Sequence, residues 1–400
     1  MHSKLCYTKL IFTFITLFEA MTIFLATFMP ELENKLYIVM LICLYIFYVK
    51  EIGLANRNSF LIVNFLLIVY TVWTMVNSGF SYVIHLDYYA YIGLALTLLI
   101  FSKEEILENL KDYLEHHANL IILTNVGYFL ILAASIPLRG GLHTGFNMRI
   151  PILYGPYSIP HDVAYECLFL YCLNAFMYKR KHTTNFLIFK CICLVCITWT
   201  ATRSAFLAMV VIVFLDYCAY RNVQKKFLLI VLALAILLCL ALFTDVLLVN
   251  PITQKTMAAI RDTGTASNGR GYFAKVALNG YINNTNIIQK IFGMGIESVR
   301  NTLKEDPLVK VAIHAHNDYV NILCGYGIIG LGILICQQIK LVSLWKIRTF
   351  GVLVEIFLTI LIYTNGLAMY CIVTPLLPIL FIFSQECCNQ KVRGLGVSNE

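Results

Sequence analysis

The run His314-Ala-His316-Asn317-Asp318-Tyr319 sets two histidines, an amide and a carboxylate at the edge of a long apolar stretch laced with glycines at 325, 327, 330 and 332. A neutral imidazole in such a place can accept a proton from a hydroxyl. His316 is the candidate base. His314 is secondary, because residues two apart on a helix point in different directions. Asn317 and Asp318 are supporting groups, with Asp318 either tuning His316 or capping the helix that follows. Two arginines stand in comparable positions. Arg203, in ATRSAFLAM, opens an apolar run, and Arg270, in SNGRGYFAKVAL, opens a helix-like stretch behind Ser267, Asn268 and Gly269. A guanidinium beside the free N–H groups of a helix N-terminus suits an anion. Thr202 and Ser204 can cap or add hydrogen bonds there. Arg149, in HTGFNMRIPILYGPYSIPHD, is a third candidate anion contact. Each residue also has a plainer reading. Arg203 is then a snorkelling interfacial arginine, Arg270 a solvated loop residue, and His316 an interfacial histidine. His85, Asp87, His143, His161, Asp162 and Glu166 are further ionisable residues near the same side. They are too many for all to touch one substrate, so most satisfy one another or face water.

The elements that must position these groups are membrane helices. The chain has 400 residues, 60% hydrophobic and 13% charged, with mean hydropathy +0.77. A soluble domain is roughly half apolar and a quarter charged, so a soluble fold is excluded. Apolar runs of about 17–25 residues read as transmembrane helices. The expectation is an all-α, polytopic membrane protein, one integral-membrane domain over 1–400 with about twelve spans. They fall near 10–29, 36–49, 59–76, 82–101, 117–137, 160–178, 185–200, 204–220, 227–249, 318–343, 350–371 and 374–386. Residues 102–116 are too charged to cross and read as a helix at the cytoplasmic surface. The 14 cysteines lie mostly in apolar runs. They predict core packing, not a disulfide framework, and Cys191, Cys193 and Cys196 lack the partners of a zinc site.

Lysines and arginines orient the chain. With the N-terminus inside, 17 of them fall in cytoplasmic connections and only Lys35, Arg139, Arg149 and Arg203 in short outer ones. Both termini, including a short tail at 387–400, are thus expected in the cytoplasm. The long segment 250–317 is placed outside as a periplasmic or extracellular loop. It holds eight basic against four acidic residues and shows helix-like patterning plus a glycine turn, IFGMG. A loop that long with helical patterning points to function.

Three blocks, ATRSAFLAM, SNGRGYFAKVAL with IFGMG, and AHNDYVNILCGYGIIGLG, together resemble the O-antigen ligase and O-antigen polymerase family. These are bacterial integral-membrane glycosyltransferases of the Wzy type. The resemblance covers roughly residues 160–345. It implies that Arg203 and Arg270 are the family's arginines and His316 its histidine. It also implies transfer of a glycan from an undecaprenyl-diphosphate donor to a hydroxyl acceptor outside the cytoplasm of the inner membrane, without metal or cofactor. The arginines would hold the diphosphate and His316 would deprotonate the acceptor, with inversion at the sugar. Nucleic acid has no part in it, and a chain-length regulator is a candidate partner. The motifs do not separate a repeat-unit polymerase, serving O-antigen, capsule or exopolysaccharide, from a ligase acting on lipid A–core. The wider spread of polymerases in the family favours polymerase. A lipid-linked glycan flippase or anion transporter is the alternative of another class. Its binding charges are expected at the membrane midplane in repeated halves, whereas these cluster at one face.

Overall fold

The computed structural model describes residues 2–50, 96–97, 100–101, 103–144, 151–221, 270–295, 297–310, 312–344, 360–361, 363–364 and 375–383. The spans expected at 59–76 and 227–249, most of those at 82–101 and 350–371, the first part of the long loop and the tail lie outside the described residues. Among the described residues the structure is mostly helical. In chain order the helices are α1 (His2–Phe28), α2 (Pro30–Tyr48), α3 (Glu104–His116), α4 (Ala118–Arg139), α5 (Pro160–Lys181), α6 (Thr184–Trp199), α7 (Arg203–Arg221), α8 (Arg270–Asn284), α9 (Ile287–Phe292), α10 (Glu297–Glu305) and α11 (Asp318–Leu344). Among the described residues, three stretches are long and apolar enough to cross a membrane: Thr8–Phe28, Ala118–Arg139 and Asp318–Cys336. Helices Thr184–Trp199 and Arg203–Phe214 are apolar but shorter.

Helix α5 is the axis of the fold. Every residue from Val163 to Met177 is buried, and the helix packs chiefly on α6 and α7. A helix apolar nearly all round belongs inside a bundle. Proline at its first position and left-handed His182 after its last residue set its ends. Around it, α4 and α6 turn Leu123, Leu130, Leu138, Ile188 and Val195 outward, as lipid-facing helices do. Asn125 and Asn174 exchange hydrogen bonds across the α4–α5 contact, at 3.1 and 2.7 Å. At the far end of the bundle, Asp216 of α7 takes Lys179 at 3.1 Å and also Lys190. The Tyr171 hydroxyl adds a third donor at 3.3 Å. This knot fastens α5, α6 and α7 about 20 Å along α7 from Arg203.

Helix α3 forms over the charged segment expected as a short surface helix; its apolar side, with Leu107, Leu110 and Leu114, is buried against protein, and α3 touches α1, α4 and α5. The Thr13 and Tyr113 hydroxyls meet at 2.6 Å across the contact with α1.

The clearest departure from expectation is α11, read from sequence as one continuous span. It breaks at Gly327, where φ is 69° and ψ is −171°, a region open in practice only to glycine. Beyond the break the helix folds back on itself. The Tyr319 hydroxyl donates to Gln338 Oε1 at 3.2 Å, 19 residues away, whereas an unbroken helix would separate them by about 28 Å. The IFGMG turn makes the break possible. Met294 and Gly295 donate their N–H groups to the carbonyls of Cys324 and Gly325 at 3.0 and 2.9 Å, acceptors that the interrupted helix leaves open. A Cβ on Gly327 would lie 2.3 Å from the Ile291 carbonyl oxygen. Gly327→Ala is therefore expected to destabilise the protein by at least about 3 kcal/mol. Gly332→Ala, whose Cβ meets nothing, should be neutral. Thermal loss of the monodisperse peak in detergent chromatography measures both, and equal behaviour would contradict the break.

Candidate functional site

The functional candidates gather where four helices begin. The link between α6 and α7, Thr200-Ala201-Thr202, is buried. It turns through left-handed Ala201, with φ 52°. Thr200 Oγ1 accepts from the Thr202 N–H at 3.3 Å, and the Thr202 hydroxyl donates to the Pro160 carbonyl at 3.4 Å. That bond ties the start of α7 to the start of α5. Arg203 is the first residue of α7 and is partly buried. Ser204, next to it, is buried and accepts a hydrogen bond from the Tyr165 hydroxyl at 3.0 Å. Of the two roles expected for Thr202 and Ser204, capping or added hydrogen bonds, their hydroxyls take the second, both bonding to α5.

Arg270 is the first residue of α8; its expected caps, Ser267 and Asn268, lie outside the described residues. Its Nη2 donates to His161 Nε2 at 3.4 Å. A guanidinium only donates, so this ring nitrogen is the acceptor. Arg270 also acts electrostatically on Arg203, Tyr165 and His316. The structure therefore brings Arg203, Arg270 and His316 into one electrostatic neighbourhood, at the N-terminal ends of α5, α7, α8 and α11. The positive ends of the helix dipoles reinforce the two guanidiniums.

His316 is not on a helix. It holds a left-handed backbone, φ 51°, two residues before α11 starts, so the helical reasoning that set His314 aside does not apply. His314 is near enough for its charge to act on His316. The imidazole lies tilted against the Phe273 ring, centroids 6.0 Å apart. Burial, then Arg270, then His314 hold its pKa down at about 4. At neutral pH it is an uncharged proton acceptor. Asn317 is the cap of α11, accepting the Val320 N–H on Oδ1 at 3.2 Å. Asp318 is fully buried and acts electrostatically on Tyr319 and Tyr363. Capping therefore falls to Asn317.

Arg149 lies outside the described residues. The chain on either side of it is anchored at the site. Leu142–His143 pairs antiparallel with Ile152–Leu153, Trp199 Nε1 donates to the Pro151 carbonyl at 2.8 Å, and Ile152 packs on Ala201. His143 stacks edge-on against Tyr154, and His85 and Asp87 are outside the described residues. Glu166 is fully buried and accepts hydroxyls from Tyr128 at 2.7 Å and Tyr157 at 2.5 Å.

Sequence reasoning passed over Tyr165 and Asn321. Tyr165 sits in an apolar helix with no local signal. Asn321 follows the histidine block by one helical turn, which is a signal that could have been used. It is buried, and its Oδ1 accepts the Ala315 N–H at 3.1 Å. It thereby fixes the peptide between His314 and His316. Asn321→Ala is expected to lower kcat about tenfold with KM little changed, since about 1.4 kcal/mol of positioning is lost. Asn321→Asp, which keeps the acceptor, should recover most of it. Steady-state kinetics decide the point: a change confined to KM would remove the positioning role.

Residues 188–335 match the family model described as O-antigen ligase. The matched segment contains all three blocks and every element from most of α6 to the first part of α11's second arm. No curated protein matches the chain.

Proposed function

We propose, from the match of residues 188–335 to the O-antigen ligase family model, that the chain polymerises undecaprenyl-diphosphate-linked repeat units into a surface polysaccharide. The family and the apolar helices together indicate an inner-membrane, glycosyltransferase-like enzyme. The finer assignment is ours. In it, the donor diphosphate rests between Arg203 and Arg270, with Arg149 as a further contact. The acceptor hydroxyl of a second lipid-linked unit gives its proton to His316 as its oxygen attacks the anomeric carbon. A new glycosidic bond forms, the bond from that carbon to the phosphate oxygen breaks, and undecaprenyl diphosphate leaves. One displacement inverts the sugar. Ser204 and Asn317 hold the helix starts, and the reaction uses no metal. The site faces the periplasm or exterior, with both termini in the cytoplasm.

The observation that carries this reading is the meeting of Arg203, Arg270 and His316 at converging helix N-termini. Two guanidiniums close enough to repel one another favour a multiply charged anion, which relieves that repulsion most as charge builds on a leaving group. A deprotonated imidazole beside them supplies the base. Incubating the purified protein in vesicles with a synthetic lipid-linked repeat unit, with and without chelator, tests it. A ladder of inverted-linkage products in both conditions is expected. Product only when lipid A–core is added would make the protein a ligase, and no product with either acceptor would reject the reading.

A further inference from the structure

We propose that α9 and the turn after it, Ile287–Gly295, are seated in the hydrocarbon of the bilayer, although they belong to the segment read from sequence as an aqueous loop. The proposal rests on the chain being a membrane protein, not on glycan transfer. Helix α9 buries none of its residues. Ile287, Ile288 and Phe292 are 70%, 54% and 40% exposed, on an element of only 6 residues. Such a surface in water is costly. Its neighbours show what covers it. The backbone of Ile291 and Gly293 lies against Gly327, so α9 abuts the start of the second arm of α11. That arm presents Ile328, 60% exposed, then Ile329, Ile335 and Ile339. The exposed face of α9 thus lies beside an arm that presents apolar residues outward and whose first part, to Cys336, belongs to a stretch as apolar as a membrane span.

Irregular segments survive in hydrocarbon only when protein satisfies their polar groups, and the turn after α9 draws its backbone partners from protein. Asn286 and Gln289 form a reciprocal capping box at the start of α9, at 2.9 and 3.1 Å. Gly293 donates back to Gln289 at 2.7 Å, and Met294 and Gly295 donate to Cys324 and Gly325. The Lys290 carbonyl accepts the Tyr281 hydroxyl. Ile287, Ile288 and Phe292 face outward, where acyl chains fit them, and the stem of partly exposed Lys290 can lie along the same chains with its ammonium at the interface. The Tyr281 bond also joins this element to α8, whose other end carries Arg270.

The test uses the full-length protein with an environment-sensitive fluorescent amino acid at position 288, and in a second preparation at 287. Each is reconstituted in phosphatidylcholine–phosphatidylglycerol vesicles. Lipids brominated on the acyl chains should quench both probes several-fold more strongly than aqueous iodide. A probe at exposed Lys304 of α10 should show the reverse. Preferential quenching by iodide at 287 and 288 would overturn the proposal by placing the face in water. Quenching by neither reagent would overturn it too, by showing that protein covers the face. The readout needs no catalysis, so an inactive enzyme with lipid-quenched probes leaves this inference standing while rejecting glycan transfer.

Discussion

His316→Ala is expected to reduce glycan transfer by at least about a thousandfold, with the protein still inserted and monodisperse. General-base catalysis contributes about 10²–10⁴. The pH profile distinguishes a base from a packing residue. In the free enzyme the His316 pKa is about 4, lowered by burial, Arg270 and His314. A base works deprotonated, so kcat/KM should be flat through neutral pH and fall only as pH drops towards 4. A bound diphosphate neutralises Arg270 and adds negative charge, which favours the protonated imidazole. The acid limb of kcat should therefore lie at higher pH than that of kcat/KM. Coincident limbs, or undiminished product from His316→Ala, would remove His316 from the reaction.

The second large effect is at the arginines. Arg203→Ala and Arg270→Ala are each expected to lower kcat/KM about 10²–10³-fold, as for loss of one preorganised donor to a developing oxyanion. Lysine at either position keeps the charge but loses the planar fork, so recovery should be partial. The two variants should differ in pH dependence. Removing Arg270 withdraws one cause of the low His316 pKa, so the acid limb of residual kcat/KM should move to higher pH. Arg203 does not act on His316 in that way, and its replacement should leave the limb in place. A double variant no worse than either single one would show that the two guanidiniums act as one unit. Wild-type kinetics in both single variants would dissolve the anion site.

Local signals in the sequence reached the helix starts at Arg203 and Arg270, the polar block before α11 and the glycine turn at 293–295, because each depends on neighbours a few residues away. Partners that lie far along the chain left no such trace. Tyr165 bonds to Ser204 from a helix that reads as plain core. Lys190 was hidden inside an apolar run, yet it meets Asp216. The break in α11 escaped for a different reason. Four glycines in an apolar run are as consistent with close packing of a straight helix as with a fold-back, and hydropathy alone cannot separate the two.

By itself, the sequence determined that this chain is helical and membrane-embedded, since so much apolar surface and so little charge admits no other solvent. It also named the cations and the imidazole that stand at the ends of apolar runs. Only the tertiary structure decided that Arg203, Arg270 and His316 share one neighbourhood, and that α11 turns back at Gly327. Both outcomes depend on bonds between distant segments, Thr202 to Pro160, Arg270 to His161, and Met294 and Gly295 to the carbonyls of a broken helix. A backbone carbonyl must find a donor wherever water is absent. Which donor it finds is settled by how helices pack, and packing is not written in any one stretch of residues.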